Sequence, residues 1–274
     1  HKIEGLSPDA NKLRGHSEII NVETLTKNID LAWETTRTPA EFRSKLLVIF
    51  RTTLSEGSNF IQDRFLLNND GAEAVLAQAY LMDSLIKAAL ETVDTKLYRA
   101  PNPTRGEQLC IIAVGGYGRG ELAPFSDIDL LFLLPYKQTP RVEQVVETIL
   151  YLLWDMKLKV GHSTRSIDEC MRQAKADMTV RTAILESRYI CGEISLMEQM
   201  IARFREEIIK GSALEFVEAK LKESDDRHRQ LGDSRYVIEP NIKDGKGGLR
   251  DLHKLFWIGK YAYKTDNVSA LVSE

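Results

Sequence analysis

One stretch limits the folds open to this chain more than any other. Gln108-Leu-Cys-Ile-Ile-Ala-Val114 is an apolar, partly β-branched run of strand length that enters Gly115-Gly116. A second such run, Ile128 to Leu134, stops at Pro135. Both read as buried strands, because continuous apolar runs of this length suit a strand covered on both faces. Gly118 and Gly120 fall between them, and the pair Asp127-Ile-Asp129 straddles the start of the second. The stretch therefore predicts a small α/β core with polar chemistry gathered at its strand ends.

The flanks read as helix. The first thirty residues are polar and poorly periodic, and predict a loosely packed lead-in. From Pro39 an apolar face appears at Phe42, Leu46, Ile49 and Phe50, the i, i+4, i+7, i+8 spacing of a helix. A second helix is expected over Gly71 to Tyr98, before Pro101 and Pro103 break the chain. Thr139-Pro140 opens another, striped by Val142, Val145, Val146, Ile149, Leu153 and Met156. Leu158 to Thr164 is a candidate third strand, and Ser166-Ile-Asp-Glu169 has capping-box spacing. Residues 177 to 231 read as helix throughout, interrupted near Gly192 and Gly211. After a loop from Gly232 to Gly248, Leu249 to Tyr263 is a last helix, with Leu249, Leu252, Phe256 and Trp257 on its core side. The expected class is α/β (α+β): a small mixed sheet flanked by N-terminal helices and a C-terminal helical bundle.

Composition narrows the function classes. The 37 basic and 40 acidic residues leave a net charge of −3, so no global field pulls the chain onto nucleic acid. Cys110, Cys170 and Cys191 lack CxxC spacing and read as reduced thiols rather than a disulfide framework or a zinc site. No apolar run approaches the roughly 18 residues that cross a bilayer, and the start at His1 has no signal-peptide core. The expectation is a cytoplasmic chain, truncated or processed ahead of His1, with no membrane partner.

Asp127 and Asp129 carry the chemistry. Residues two apart on a strand share a face, roughly 6–7 Å apart at Cα. Two ionised carboxylates held together repel, and a divalent cation between them relieves this. Hard oxygen donors favour Mg²⁺ or Mn²⁺. Gly115 and Gly116 permit close approach of a phosphate to backbone, and Arg119 offers a charged contact to it. The same letters would also serve a solvated strand end and a tight turn. The spelling is neither GxGxxG nor GxxxxGK[ST], and Lys246 in Asp244-Gly-Lys-Gly-Gly248 is followed by Gly247 rather than Ser or Thr. Dinucleotide-fold and P-loop readings therefore fail on residues.

Strand–Gly-Gly-x-Gly-Arg-x-Glu, a short spacer and Ser126-Asp-Ile-Asp129 resemble the active-site signature of the polymerase β nucleotidyltransferase superfamily. Within it, Gly115-Gly-Tyr-Gly-Arg-Gly-Glu-Leu122 with Ser126 to Leu130 resembles the bacterial PII uridylyltransferase/uridylyl-removing family. So does Tyr236-Val-Ile-Glu-Pro-Asn-Ile-Lys-Asp-Gly-Lys-Gly-Gly-Leu-Arg-Asp251, and so do Val160-Gly-His-Ser-Thr-Arg165 and Ala183-Ile-Leu-Glu-Ser-Arg188. The resemblance runs from about residue 40 to 274. The expected division is residues 1–69 as a helical lead-in, 70–170 as the nucleotidyltransferase core and 171–274 as a truncated helical substrate or nucleotide-binding domain.

The implied reaction is transfer of UMP from UTP to a tyrosine hydroxyl of the trimeric signalling protein PII, releasing pyrophosphate. Asp127 and Asp129 would be catalytic and hold Mg²⁺ or Mn²⁺, while Gly115, Gly116, Arg119 and Ser126 would bind the nucleotide. Another acceptor, such as an RNA 3′ end or a small molecule, or a catalytically silent nucleotide-binding module, are the alternatives. The superfamily often has a third acid on a later strand, where this chain offers His162 or Thr164, so the general base stays open. Arg165 and Arg188 suit either phosphate or an acid between layers. The 238–251 segment suits either a substrate-facing loop or a structural one. In the resembled family UMP removal belongs to an HD domain and glutamine sensing to ACT domains. None of the five histidines is followed by Asp, so this chain is expected to transfer UMP, not to remove it or respond to glutamine.

Overall fold

The computed structural model describes residues 16–101, 104–231, 239 and 241–263. Helices α1 (His16–Ile19), α2 (Val22–Thr35), α3 (Pro39–Asn68) and α4 (Gly71–Thr92) precede strand β1 (Cys110–Ala113). The short turn α5 (Gly115–Gly118), β2 (Ile128–Leu134), α6 (Pro140–Asp155), β3 (Val160–Ser166), α7 (Ile167–Ala176) and α8 (Met178–Leu185) follow. Then come β4 (Arg188–Gly192), α9 (Ile194–Phe204), α10 (Ala213–Gln230) and α11 (Leu249–Tyr263). The chain divides into one unit of His1–Glu169 with Glu186–Gln199 and another of Cys170–Leu185 with Met200–Glu274. Among the described residues, no helix is long and apolar enough to cross a membrane.

Local chemistry explains most boundaries. Thr38 caps α3 by accepting from the Glu41 N–H, and Pro39 stands at its first turn. Asp70 and Thr139 cap α4 and α6 in the same way. The predicted capping box closes reciprocally: Ser166 N donates to Glu169 Oε2 at 3.1 Å, and Glu169 N to Ser166 Oγ at 3.2 Å.

The sheet of the first unit has the order β3-β2-β1-β4. β1 is antiparallel to both β2 and β4, and β2 is parallel to β3 through the α6 crossover. One face supplies Ile111, Ala113, Ile128, Leu130, Phe132 and Leu134 to a core shared with α4 and α6. The two-residue alternation then sends Asp129, Leu131 and Leu133 to the opposite face.

In the first unit, two expectations differ from the structure. Residues 188–192 read as helix but form β4, because Tyr189, Ile190 and Cys191 are strand formers and pairing with β1 overrides the helical surroundings. The lead-in is not loose from residue 22 onward. Asn21 caps α2, and Leu25, Ile29 and Ala32 are buried at helical spacing. Residues 1–15 of that expectation lie outside the described residues.

A buried ionic cluster fastens the site-bearing loop to this framework. Arg188 on β4 donates to Asp83 on α4 through Nη1 at 2.6 Å and Nη2 at 3.1 Å. Its Nη2 also reaches the Tyr117 carbonyl at 3.2 Å, and the Tyr117 hydroxyl donates to Asp83 Oδ1 at 2.5 Å. Burial, reinforced by the Asp83 charge, pushes the Tyr117 hydroxyl well above its usual range. Asp83, Tyr117 and Arg188 are all buried, so deleting one charge strands the other.

The second unit is helical. Phe216 of α10 and Tyr261 of α11 stack at 3.9 Å between ring centroids, and the Lys220 ammonium lies 4.9 Å from the Trp257 ring centroid. Trp257 is buried as expected, whereas Leu249 and Leu252 are exposed. The core stripe of α11 is instead Trp257 and Tyr261, at i, i+4.

Asp83→Ala should cost about 3–5 kcal/mol, since it leaves the Arg188 guanidinium buried without its anion. A melting midpoint lower by on the order of 10 °C is expected. An unchanged midpoint would show that the cluster does not hold the fold.

Candidate active site

The site grows from the ends of β1 and β2. The Val114 N–H donates to the Asp129 carbonyl at 3.0 Å, which holds the start of the glycine turn beside the start of β2. Gly118 N returns to Val114 O at 3.1 Å, closing the turn. The amides of Gly115, Gly116 and Tyr117 precede that first helical bond and so have no acceptor within the turn. Leu122 N donates to Val75 O at 3.1 Å, tying the turn's exit to α4.

The four glycines divide into different roles. Gly115 has φ +59°, a conformation that disfavours a side chain. A Cβ on Gly118 would stand 2.0 Å from the Glu186 carbonyl oxygen, so packing alone requires that glycine. Gly120 also has positive φ, at +78°. Gly116 differs, because its φ is negative and a Cβ there would meet only the Arg119 Nη2, at an ordinary 3.6 Å. Nothing in the protein's own packing requires a glycine at 116.

Asp127 is exposed and Asp129 half-buried. Burial first, and then the Asp127 charge, raises the Asp129 carboxyl above its ordinary range. Among the described residues, neither carboxylate has a cationic partner. Two oxygen-donor groups that strain each other, with no internal cation, fit a divalent metal ion. Ser126 is exposed, its N–H donating to the Ala123 carbonyl at 3.1 Å in the turn that delivers Asp127.

Arg119 pairs with Glu186, Nη1 to Oε1 at 2.6 Å, against a carboxylate that is itself buried. The acid therefore anchors the guanidinium beside Gly116. Arg188 takes the second of its two sequence readings, pairing with Asp83. His162 and Thr164 stand in register with Leu130 and Phe132, on the core-side face. The His162 ring meets Trp154 edge-on at 5.6 Å. Strand alternation thus removes both from the row of Asp129, and the described residues hold no cluster of three or more metal-ligating side chains.

The 241–251 loop is fastened inside the second unit. Asp251 accepts from the Gly247 N–H at 2.8 Å and from Arg227 Nη2 at 2.7 Å, and lies 3.1 Å from His228 Nε2. Leu249 N and Arg250 N close onto Ile242 O and Lys243 O, both at 2.9 Å. These contacts support the structural reading of the segment; residues 236–238 and 240 lie outside the described set.

Sequence reasoning missed Gly161, which pairs in register with Asp129 on the neighbouring strand. A glycine inside a strand marks close approach by another group, and that signal was present in the sequence.

Comparison with known proteins agrees with this arrangement. Residues 104–190, which include the glycine turn and both carboxylates, match the nucleotidyltransferase domain. Residues 215–274 match the GlnD PII-uridylyltransferase family. The chain is 55% identical over 234 residues to a bifunctional uridylyltransferase/uridylyl-removing enzyme of Azospirillum brasilense, covering 85% of this chain and 25% of that protein. It is 49% identical over 262 residues to the corresponding enzyme of Rhodospirillum rubrum, covering 95% and 28%. The chain spans about a quarter of the length of these relatives. It carries a nucleotidyltransferase domain, the class that the sheet and its paired carboxylates define. Its family is that of the PII uridylyltransferases.

The glycines give a direct contrast. Gly118→Ala should lower the melting midpoint, because its Cβ meets a backbone oxygen that cannot move cheaply. Gly116→Ala should leave the midpoint within about 2 °C, as its only near neighbour, the Arg119 Nη2, lies at an ordinary contact distance of 3.6 Å. Equal destabilisation by both would contradict the division of roles.

Proposed function

We propose that the chain transfers UMP from UTP to a tyrosine hydroxyl of the PII signalling protein and releases pyrophosphate. The observation that carries this reading is the pair Asp127 and Asp129 beside a glycine turn whose Gly116 no internal packing explains. The names of the matched family and relatives supply the nucleotide and the acceptor.

Each residue has a task in this reading. The free amides of Gly115 and Gly116 receive the triphosphate oxygens, and the absent Cβ of Gly116 lets the phosphate come down onto backbone. Arg119, steadied by Glu186, adds positive charge beside the same turn. Asp127 and Asp129 hold the divalent cation, Mg²⁺ or Mn²⁺. When bound, such an ion would neutralise charge at the reacting phosphate and make the acceptor hydroxyl easier to deprotonate. Ser126, exposed beside Asp127, completes the nucleotide-binding set. His162 and Thr164 lie on the other face, so neither is the base in this reading: the tyrosine oxygen bonds to the α-phosphorus of UTP as the bond to pyrophosphate breaks, and the hydroxyl proton passes to solvent.

Incubation with labelled UTP, Mg²⁺ or Mn²⁺ and PII tests the reading. Label should appear on PII, and not on RNA 3′ ends or small-molecule acceptors. Labelling of RNA alone would move the chain to a different acceptor class, and nucleotide binding without transfer would make it a silent module. Asp127→Asn and Asp129→Asn should each cut transfer at least about a thousandfold, a loss of several kcal/mol at the transition state, while remaining folded. Wild-type turnover in either variant would remove these residues from the mechanism. Gly116→Val should weaken UTP binding in calorimetry with a near-native melt, and unchanged affinity would return Gly116 to an ordinary turn residue.

A further inference from the structure

We infer that Gly161 is a positioning residue: its missing side chain is the slot that sets the orientation of the Asp129 carboxylate. The inference rests on the proposed metal-binding role of Asp129. Gly161 lies on the edge strand β3, in register with Asp129 on β2, so both residues face the same side of the sheet. A Cβ built on Gly161 would stand 2.4 Å from Asp129 Oδ1, far inside the roughly 3.5 Å at which non-bonded heavy atoms meet. The other oxygen of the same carboxylate, Oδ2, would be 3.2 Å from a Cβ on Gly115. Each oxygen of Asp129 thus lies over a glycine, one on either flank.

Backbone conformation gives no other reason for a glycine at 161. Its φ is not positive, and a glycine within a strand weakens it. The residue is exposed, so it does not relieve crowding in the core either. The single close neighbour that a side chain would meet is the Asp129 carboxyl group. That group is the movable end of a flexible side chain, so an added methyl should rotate the carboxylate and leave the strand in place. Rotation takes one oxygen donor out of the arrangement it forms with Asp127. Gly115 is a poorer probe of the same slot, because its positive φ would strain any replacement.

The test uses Gly161→Ala in the full chain, with Mn²⁺ binding followed by electron paramagnetic resonance in the presence of a non-transferable UTP analogue. The melt should stay near wild type, because the clash is relieved by a side-chain rotation. Mn²⁺ affinity should fall about tenfold or more, the size of effect seen when the groups orienting a metal ligand are changed. Transfer should lose kcat with little change in KM for UTP. In an Asp129→Asn background, Gly161→Ala should cause no further loss of Mn²⁺ affinity. A folded Gly161→Ala chain with unchanged Mn²⁺ affinity would overturn the inference. So would unfolding of the variant, or an equal additional loss in the Asp129→Asn background. Failure of the wild-type chain to hold Mn²⁺ at all would overturn the metal reading and this inference together, and is distinguished by needing no variant.

Discussion

The structure of the site depends on the buried contact of Arg188 with Asp83 and Tyr117. Three elements distant in sequence meet there: α4, the glycine turn and β4. The turn itself is four residues long and rich in the residue with the most backbone freedom, so its shape must be imposed from outside. Tyr117 supplies the hold. Its side chain is driven into the interior, its hydroxyl donates to Asp83, and its carbonyl accepts from Arg188. Two buried charges are costly alone and tolerable only when paired with each other. That makes the arrangement intolerant of drift, which suits the phosphate-binding role proposed for the turn.

Around this anchor, glycine serves unrelated purposes at neighbouring positions. Gly118 exists because the Glu186 backbone passes directly over it. Gly115 adopts a left-handed turn and leaves one side of the Asp129 carboxylate open, and Gly161 opens the other. Gly116 alone has no internal justification, which directs attention to a ligand. Electrostatics run the same way. Asp129 is pushed toward its protonated form by burial and by Asp127, a strain that the proposed divalent cation would offset. The nearby positive charge of Arg119 is not spent on these acids, since Glu186 already holds it.

Much of this was legible in the sequence. The strands at 110–113 and 128–134 followed from apolar runs, and α6 and the capping box at 166–169 from their cap residues. The Asp127-Ile-Asp129 pair was read from a two-residue strand period; β2 begins at Ile128, and the Asp127 charge acts on Asp129. What was not legible depended on partners far along the chain. β4 was hidden because five residues among helices acquire strand character only by pairing with β1. The fate of Arg188 needed Asp83, more than a hundred positions away. The stripe of α11 was misplaced because apolar spacing alone does not say which of several leucines turns inward. His162 drew attention as a chemically versatile residue, and only the register with Leu130 showed it facing away from the acids.

The central claim is that Asp127 and Asp129 together hold a metal ion against the triphosphate lodged on the Gly115-Gly116 turn. Crystals grown with Mn²⁺ and a non-transferable UTP analogue, measured at the manganese edge, test it most directly. The account predicts an anomalous peak within about 2.0–2.6 Å of oxygens from both carboxylates, the range of divalent-cation oxygen ligation, with triphosphate oxygens on the amides of Gly115 and Gly116. Manganese bound away from these carboxylates, or a nucleotide seated elsewhere than the glycine turn, would contradict it.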